Sequence, residues 1–205
     1  MTAEPIPEVT VSEPEPTFRW PVPPTDGWTV DDLHTLPGLP PHTEMIDGSL
    51  VFVSPQRYFH SIVIDLLVSG LRQTTPTGLK VTREMTVVID RKNGPEPDVS
   101  VIRAEAVTSR SQTFFRASDV VLAVEVVSPE SSSRDRDTKP RKYAAAGIEH
   151  FWLVEMVGEE ERPVVYVYER DPVTETYTVT GIHHDRLKLS VPFDIDIDLT
   201  EIDTL

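Results

Sequence analysis

Residues Val120–Val127 (VVLAVEVV) are almost continuously apolar and β-branched. That is the pattern of a short strand buried on both faces in the middle of a sheet. One residue in the run does not belong. A carboxylate at Glu125 would cost several kcal/mol to bury ionised without compensation. It must be neutral, paired with a base, or bound to a cation, and the plainest partner is a buried arginine.

The rest of the chain supplies the elements around this strand. Thr29 and the Asp31-Asp32 pair signal a short first helix, and Asp47-Gly48 introduces a strand over Ser49–Ser54. After Pro55, apolar residues at Phe59, Ile62, Val63, Leu66, Leu67 and Leu71 follow helical spacing, with Gly70 as a gap. Leu79–Asp90 and Asp98–Arg103 read as strands, and a helix is expected from about Asp137 to Ala146, closed by Gly147. His150–Glu155 is the next strand, and Pro163–Glu169 with Thr176–Gly181 reads as a hairpin. Arg186–Val191 and the FDIDIDL end are expected as edge strands. The order predicts an α/β fold: a mixed sheet flanked by helices, with additional C-terminal antiparallel strands.

Length and composition narrow the options. The chain of 205 residues suits one well-buried domain, expected over 26–205. Residues 1–25 are Pro-rich and acidic and read as a flexible tail. No apolar run approaches the roughly 20 residues that span a bilayer, and the acidic N-terminus is unlike a signal peptide, so a cytoplasmic location is expected. There is no cysteine, which excludes disulfides, thiolate nucleophiles and cysteine-bound zinc. A metal would be held by oxygen or imidazole, which favours Mg²⁺ or Mn²⁺. The net charge of -15 opposes binding to phosphate backbones. Between Asp98 and Tyr143, however, bases and acids nearly balance, and the excess negative charge lies mostly towards the ends.

Two further features bear on Glu125. Pro97-Asp98 opens a neighbouring strand, so two carboxylates could form an oxygen seat for a divalent ion, open to water and a phosphate oxygen. RDRDTKPRKY follows Ser128-Pro129 after a short loop. A continuous helix would align Asp135, Lys139 and Tyr143 at i, i+4 and i+8. Pro140 is tolerated only in a first turn, so the helix is expected to begin near Asp137, leaving Lys139 and Tyr143 on that face and Asp135 outside it. On its own, RDRDTKPRK would read as a solvated helix end.

These residues carry a resemblance. PDVSVIR followed by LAVEVVSPESSSRDRDTKPRKYAAAGIEHFWLVE, with EMIDGSLVFVSPQRYFH upstream, resembles the Uma-type restriction endonucleases of the PD-(D/E)XK nuclease superfamily, over about residues 30–200. The resemblance implies a restriction-endonuclease-like fold and a Mg²⁺- or Mn²⁺-dependent endonuclease acting on DNA. Asp98 and Glu125 would hold the metal, with the Val126 carbonyl and Glu44 as further ligands. The superfamily lysine two residues after the glutamate is replaced by Val127, and Lys139 matches the position from which Uma-type members supply it. Tyr143 would orient that lysine or contact a phosphate. His60 matches a family position of no evident role. Many nucleases of this fold cut as homodimers, so a homodimer is also implied.

Other signals are weaker. His183 and His184 point to opposite faces of a strand and cannot readily chelate one ion. Asp194, Asp196 and Asp198 share one face, which reads as solvated. Trp20, Trp28 and Trp152 are too scattered for a base-stacking platform, and Trp152 is expected in the core. The competing functional class is a catalytically silent binding or regulatory module of the same fold, favoured by the acidic charge and the displaced lysine. Metal-dependent hydrolysis of a substrate that is not a nucleic acid is a third.

Overall fold

The structure is a computed structural model that describes residues 22–53 and 55–205. The expected tail therefore lies, up to residue 21, outside the described residues, as does Ser54 at the end of the first expected strand. Helix α1 spans Val30–Thr35, begun by the capping box that Thr29 and Asp32 form. The hairpin β1 (Glu44–Ile46) and β2 (Ser49–Val51) turns through Asp47 and Gly48, both at positive φ, the two-residue turn that matches strand twist. Helix α2 runs Tyr58–Thr74.

Next come β3 (Leu79–Arg83), β4 (Thr86–Val88), β5 (Val99–Arg103), β6 (Phe114–Arg116) and β7 (Val120–Val126). Helix α3 (Lys139–Ala145) is preceded by a π-helical turn over Arg134–Thr138. The chain then continues through β8 (His150–Val157), β9 (Arg162–Arg170), β10 (Tyr177–His183), β11 (Arg186–Leu189) and β12 (Ile195–Asp198).

Six strands form one sheet in the order β10-β9-β8-β7-β5-β3. Its neighbours are antiparallel except β7 and β8, which are parallel and joined through α3. Such a pair needs a crossover, and a helix supplies it. The β7 side chains alternate between two cores. Leu122, Val124 and Val126 pack with α2 on one face. Ala123 belongs to the other face, with Tyr143 of α3. Glu125 shares the parity of Ala123, so it points to α3.

Three details depart from the sequence expectation. Leu79–Asp90 is not one strand: Glu84 has φ 50°, and the chain leaves the main sheet to pair β4 with β6 in parallel. The C-terminal strands are not sheet edges. β11 and β12 pair with each other over α2, burying Leu187, Ile195, Ile197 and Leu199 and leaving Asp194 and Asp196 exposed. This also explains Gly70, where a Cβ would stand 2.6 Å from Cγ1 of Ile197. Finally, helical winding begins at Ser132 and passes into the π turn at Arg134, rather than starting near Asp137. Lys139 N–H bonds to the Arg134 carbonyl, five residues back. That wider turn eases the clash between a proline ring and the carbonyl four residues before it, so Pro140 no longer marks the helix start.

Candidate active site

Glu125 lies 1% exposed in the middle of β7. Its Oε2 accepts from Lys139 Nζ at 2.9 Å and its Oε1 from Tyr143 OH at 2.6 Å. Both donors come from α3, which the βαβ crossover lays on the face to which Glu125 points. The buried partner is a lysine, not the arginine that seemed plainest from the sequence. Lys139, 4% exposed, also meets Glu44 Oε1 at 2.7 Å and Asp135 Oδ1 at 3.5 Å. Glu44 is held in turn by the Glu96 N–H at 2.8 Å.

Asp98 precedes β5, which is hydrogen-bonded to β7. Its Oδ1 lies 2.9 Å from His60 Nε2, and its Oδ2 accepts from the Val126 N–H at 2.6 Å. The last rung between β5 and β7 is Val99 with Val124, so Val126 lies beyond it. In a strand, the N–H and C=O of one residue face the same side. The Val126 carbonyl therefore also faces the Asp98 side, where β5 no longer pairs.

Glu44, Asp98, Glu125, Val126 and Lys139 line one cavity of about 190 Å³, and Tyr143 lies behind it, wholly buried. The phenol therefore reaches neither Lys139 nor a phosphate, as sequence reasoning allowed, but pins Glu125. Two residues that sequence reasoning left aside belong to the cavity. Asp135, 1% exposed, stands at i, i+4 to Lys139 because the π turn keeps the helix continuous through it, and Ser131 donates to its other oxygen. The spacing itself was the signal, set aside because of Pro140. His60 fixes Asp98 from α2. Its signal is a polar residue three and four positions before the buried Val63 and Ile64, on the same stripe.

Four of the acids that line this cavity, Glu44, Asp98, Glu125 and Asp135, act on its one lysine. Burial pushes the Glu125 carboxyl well above the usual range, Lys139 pulls it down, and Asp135, Asp98 and Glu44 push it up further. Burial disfavours the Lys139 ammonium, but the four surrounding carboxylates outweigh burial and hold it charged well above the usual lysine range. Burial, then the Glu125 charge, raises the Tyr143 phenol well above its usual value, so it stays a donor. Burial also raises Asp135, with Lys139 and the Ser131 hydroxyl opposing it.

No three acidic or histidine side chains among the described residues are grouped as a ready cage for one metal ion. Lys139 Nζ lies among Glu44, Glu125 and Asp135 instead. The donor chemistry still fits a hard divalent cation. The acidic donors are all oxygen, they exceed the bases present, and Asp135 Oδ1 is buried with no hydrogen-bond partner.

A family described as "Putative restriction endonuclease", Uma2, matches residues 30–200. The chain belongs to the Uma2 family. A crystal structure from Anabaena variabilis ATCC 29413, described as that of "a putative nuclease belonging to DUF820", shares the fold. The TM-score is 0.63 at 16% identity, covering 86% of this chain and 97% of that one. None of the curated proteins compared with this Uma2 member matches it. The matched span contains Glu44, His60, Asp98, Glu125, Asp135, Lys139 and Tyr143, so the whole constellation belongs to the Uma2 region of the chain.

Proposed function

We propose that this Uma2 chain is a metal-dependent endonuclease that hydrolyses phosphodiester bonds in DNA, with residues 26–205 as its one domain. The observation that carries the proposal is Glu125. A carboxylate deep in an apolar strand lines one cavity with Lys139, Asp98, Glu44 and Asp135, and Tyr143 donates to it from behind. The family's description and the fold of the DUF820 protein support the same class of chemistry.

Asp98 and Glu125 would hold Mg²⁺ or Mn²⁺, with Glu44, Asp135 and the Val126 carbonyl as further donors. When bound, such an ion polarises a phosphate and lowers the pKa of a water. The protein's own residues do the rest. His60 and the Val126 N–H fix both oxygens of Asp98, and Tyr143 fixes one oxygen of Glu125. Lys139 remains protonated among its carboxylates. It would place a positive charge beside the developing phosphate charge or help deprotonate the attacking water.

The test is cleavage of labelled single- and double-stranded DNA with Mg²⁺ or Mn²⁺ at low salt, comparing the parent with Glu125→Ala and Lys139→Ala. Cleavage by the parent, none by Glu125→Ala and slow single-turnover cleavage by Lys139→Ala supports the proposal. A Lys139→Ala protein that cleaves as fast as the parent would sink it. The net charge of -15 favours a second reading, a binding module without turnover, and absence of cleavage by any form would select it. A cytoplasmic location and a homodimer belong to the proposal, the latter tested by light scattering. No helix among the described residues is long and apolar enough to cross a membrane.

A further inference from the structure

Most bases near the cavity are tied up by acids. Arg83 meets Asp65 and Glu84, Arg136 meets Glu155, and Lys142 meets Asp47. Two bases that line the cavity differ. Among the described residues, neither Arg57 nor Arg134 has a carboxylate within 4.0 Å or a side-chain hydrogen bond, although the chain carries 34 acids against 19 bases. Nε of Arg134 is moreover buried with no partner. A donor taken out of water and left unpaired is costly and calls for an acceptor. The surrounding acids do not supply it, so the acceptor that fits is one brought by a ligand.

Placement says which ligand. Arg57 caps the start of α2, three residues before His60. Arg134 opens the π turn, directly before Asp135 and five residues before Lys139. The two arginines therefore stand on the helical elements that carry His60 and, on the other side, Asp135 and Lys139, while the cavity itself is acidic. An anion approaching that cavity needs cations at its edge, and the planar guanidinium fork matches the oxygens of a phosphate.

We propose that Arg57 and Arg134 together form the phosphate seat of this cavity, holding a nucleic-acid phosphodiester against the acidic donors. The proposal rests on the nuclease reading for the identity of the ligand. It answers the charge objection locally: two unpaired arginines at the cavity bind a phosphate even where the whole chain is acidic. It also implies shallow salt dependence, because few phosphates are neutralised. For single-stranded DNA, each contact contributes about -0.7 to the slope of log affinity against log salt.

The experiment is fluorescence anisotropy of a labelled single-stranded oligonucleotide with the full chain in EDTA, over roughly 50 to 200 mM salt. Arg57→Gln and Arg134→Gln should each weaken binding by roughly 10-fold and reduce the slope by about 0.7. Arg134→Lys keeps the charge but loses the fork, so it should retain the slope and lose part of the affinity. Arg72→Gln and Arg110→Gln, which remove exposed charges away from the cavity, should change neither. Melting temperatures equal to the parent's exclude misfolding as the cause. Undetectable binding by the parent overturns the proposal. So do cavity variants that bind like the parent, and control variants that lose as much as the cavity variants do. Mg²⁺-dependent cleavage is assayed separately. Arginine-dependent binding without cleavage upholds the seat and defeats the nuclease reading, whereas cleavage unaffected by both arginine variants does the reverse.

Discussion

Replacing Lys139 with Met removes the charge while keeping much of the volume, and the structure sets the scale of the loss. The ammonium lies 2.7 Å from Glu44, 2.9 Å from Glu125 and 3.5 Å from Asp135, all with side chains under 5% exposed. At an effective dielectric of 20, each contact is worth about 5–6 kcal/mol before desolvation is counted. Desolvation of the ions offsets most of that sum, and breaking a buried pair costs about 3–5 kcal/mol net.

Lys139→Met should therefore lose about 3–5 kcal/mol at neutral pH, read by urea unfolding in EDTA. The pH dependence follows from the carboxyls left behind. Without the ammonium, burial and mutual repulsion raise their folded-state pKa values above the unfolded ones. The folded variant then binds more protons than the unfolded chain, so its stability rises as pH falls towards the usual carboxylate range. The gap between variant and parent should accordingly narrow between about pH 7 and pH 5. A variant within about 1 kcal/mol of the parent at neutral pH, or a gap that widens on acidification, would refute the reasoning.

Three other outcomes are expected. Divalent ions should raise the melting temperature of the parent, and Glu125→Ala should abolish the rise, because only a folded site binds the ion. Gly70→Ala gains helix propensity but places a Cβ 2.6 Å from Ile197 Cγ1. Overpacking typically costs about 1–3 kcal/mol, so the variant should be less stable in urea, and adding Ile197→Ala should cost less than the two single effects combined. His150 titrates below the usual histidine range, chiefly through burial, with Glu169 and Glu149 opposing. The unfolded chain thus takes up its proton first, so stability falls as pH drops below the usual histidine value. His150→Gln should flatten that part of the stability profile, and an unchanged profile counts against the assignment.

Much of the site was legible because burial and periodicity are local. A glutamate in VVLAVEVV had to be compensated wherever the strand lay, and Asp98 opened a strand within reach of it. Lys139 and Tyr143 shared a face at i, i+4, so a helix laid against that strand would bring both to the carboxylate. Thr29 and Asp32 likewise announced their capping box within a few residues of chain.

What the tertiary structure decided involves partners far apart in sequence, or backbone that departs from a regular repeat. His60 and Asp98 are 38 positions apart, and only the packing of α2 against β5 and β7 makes them meet. Asp135 entered the cavity because the π turn accommodates Pro140, a cost that the sequence rule assigns and the wider hydrogen-bond ring avoids. Positive φ at Glu84, with no glycine to signal it, split one expected strand between two sheets. The C-terminal hairpin chose α2 over a sheet edge because Ile195, Ile197 and Leu199 find an apolar face there. The local pattern thus determined which residues must be buried and which need compensation. The choice of compensating partner belonged to the fold, because hydrogen bonds and close packing act over a few ångströms of space, whatever the separation along the chain.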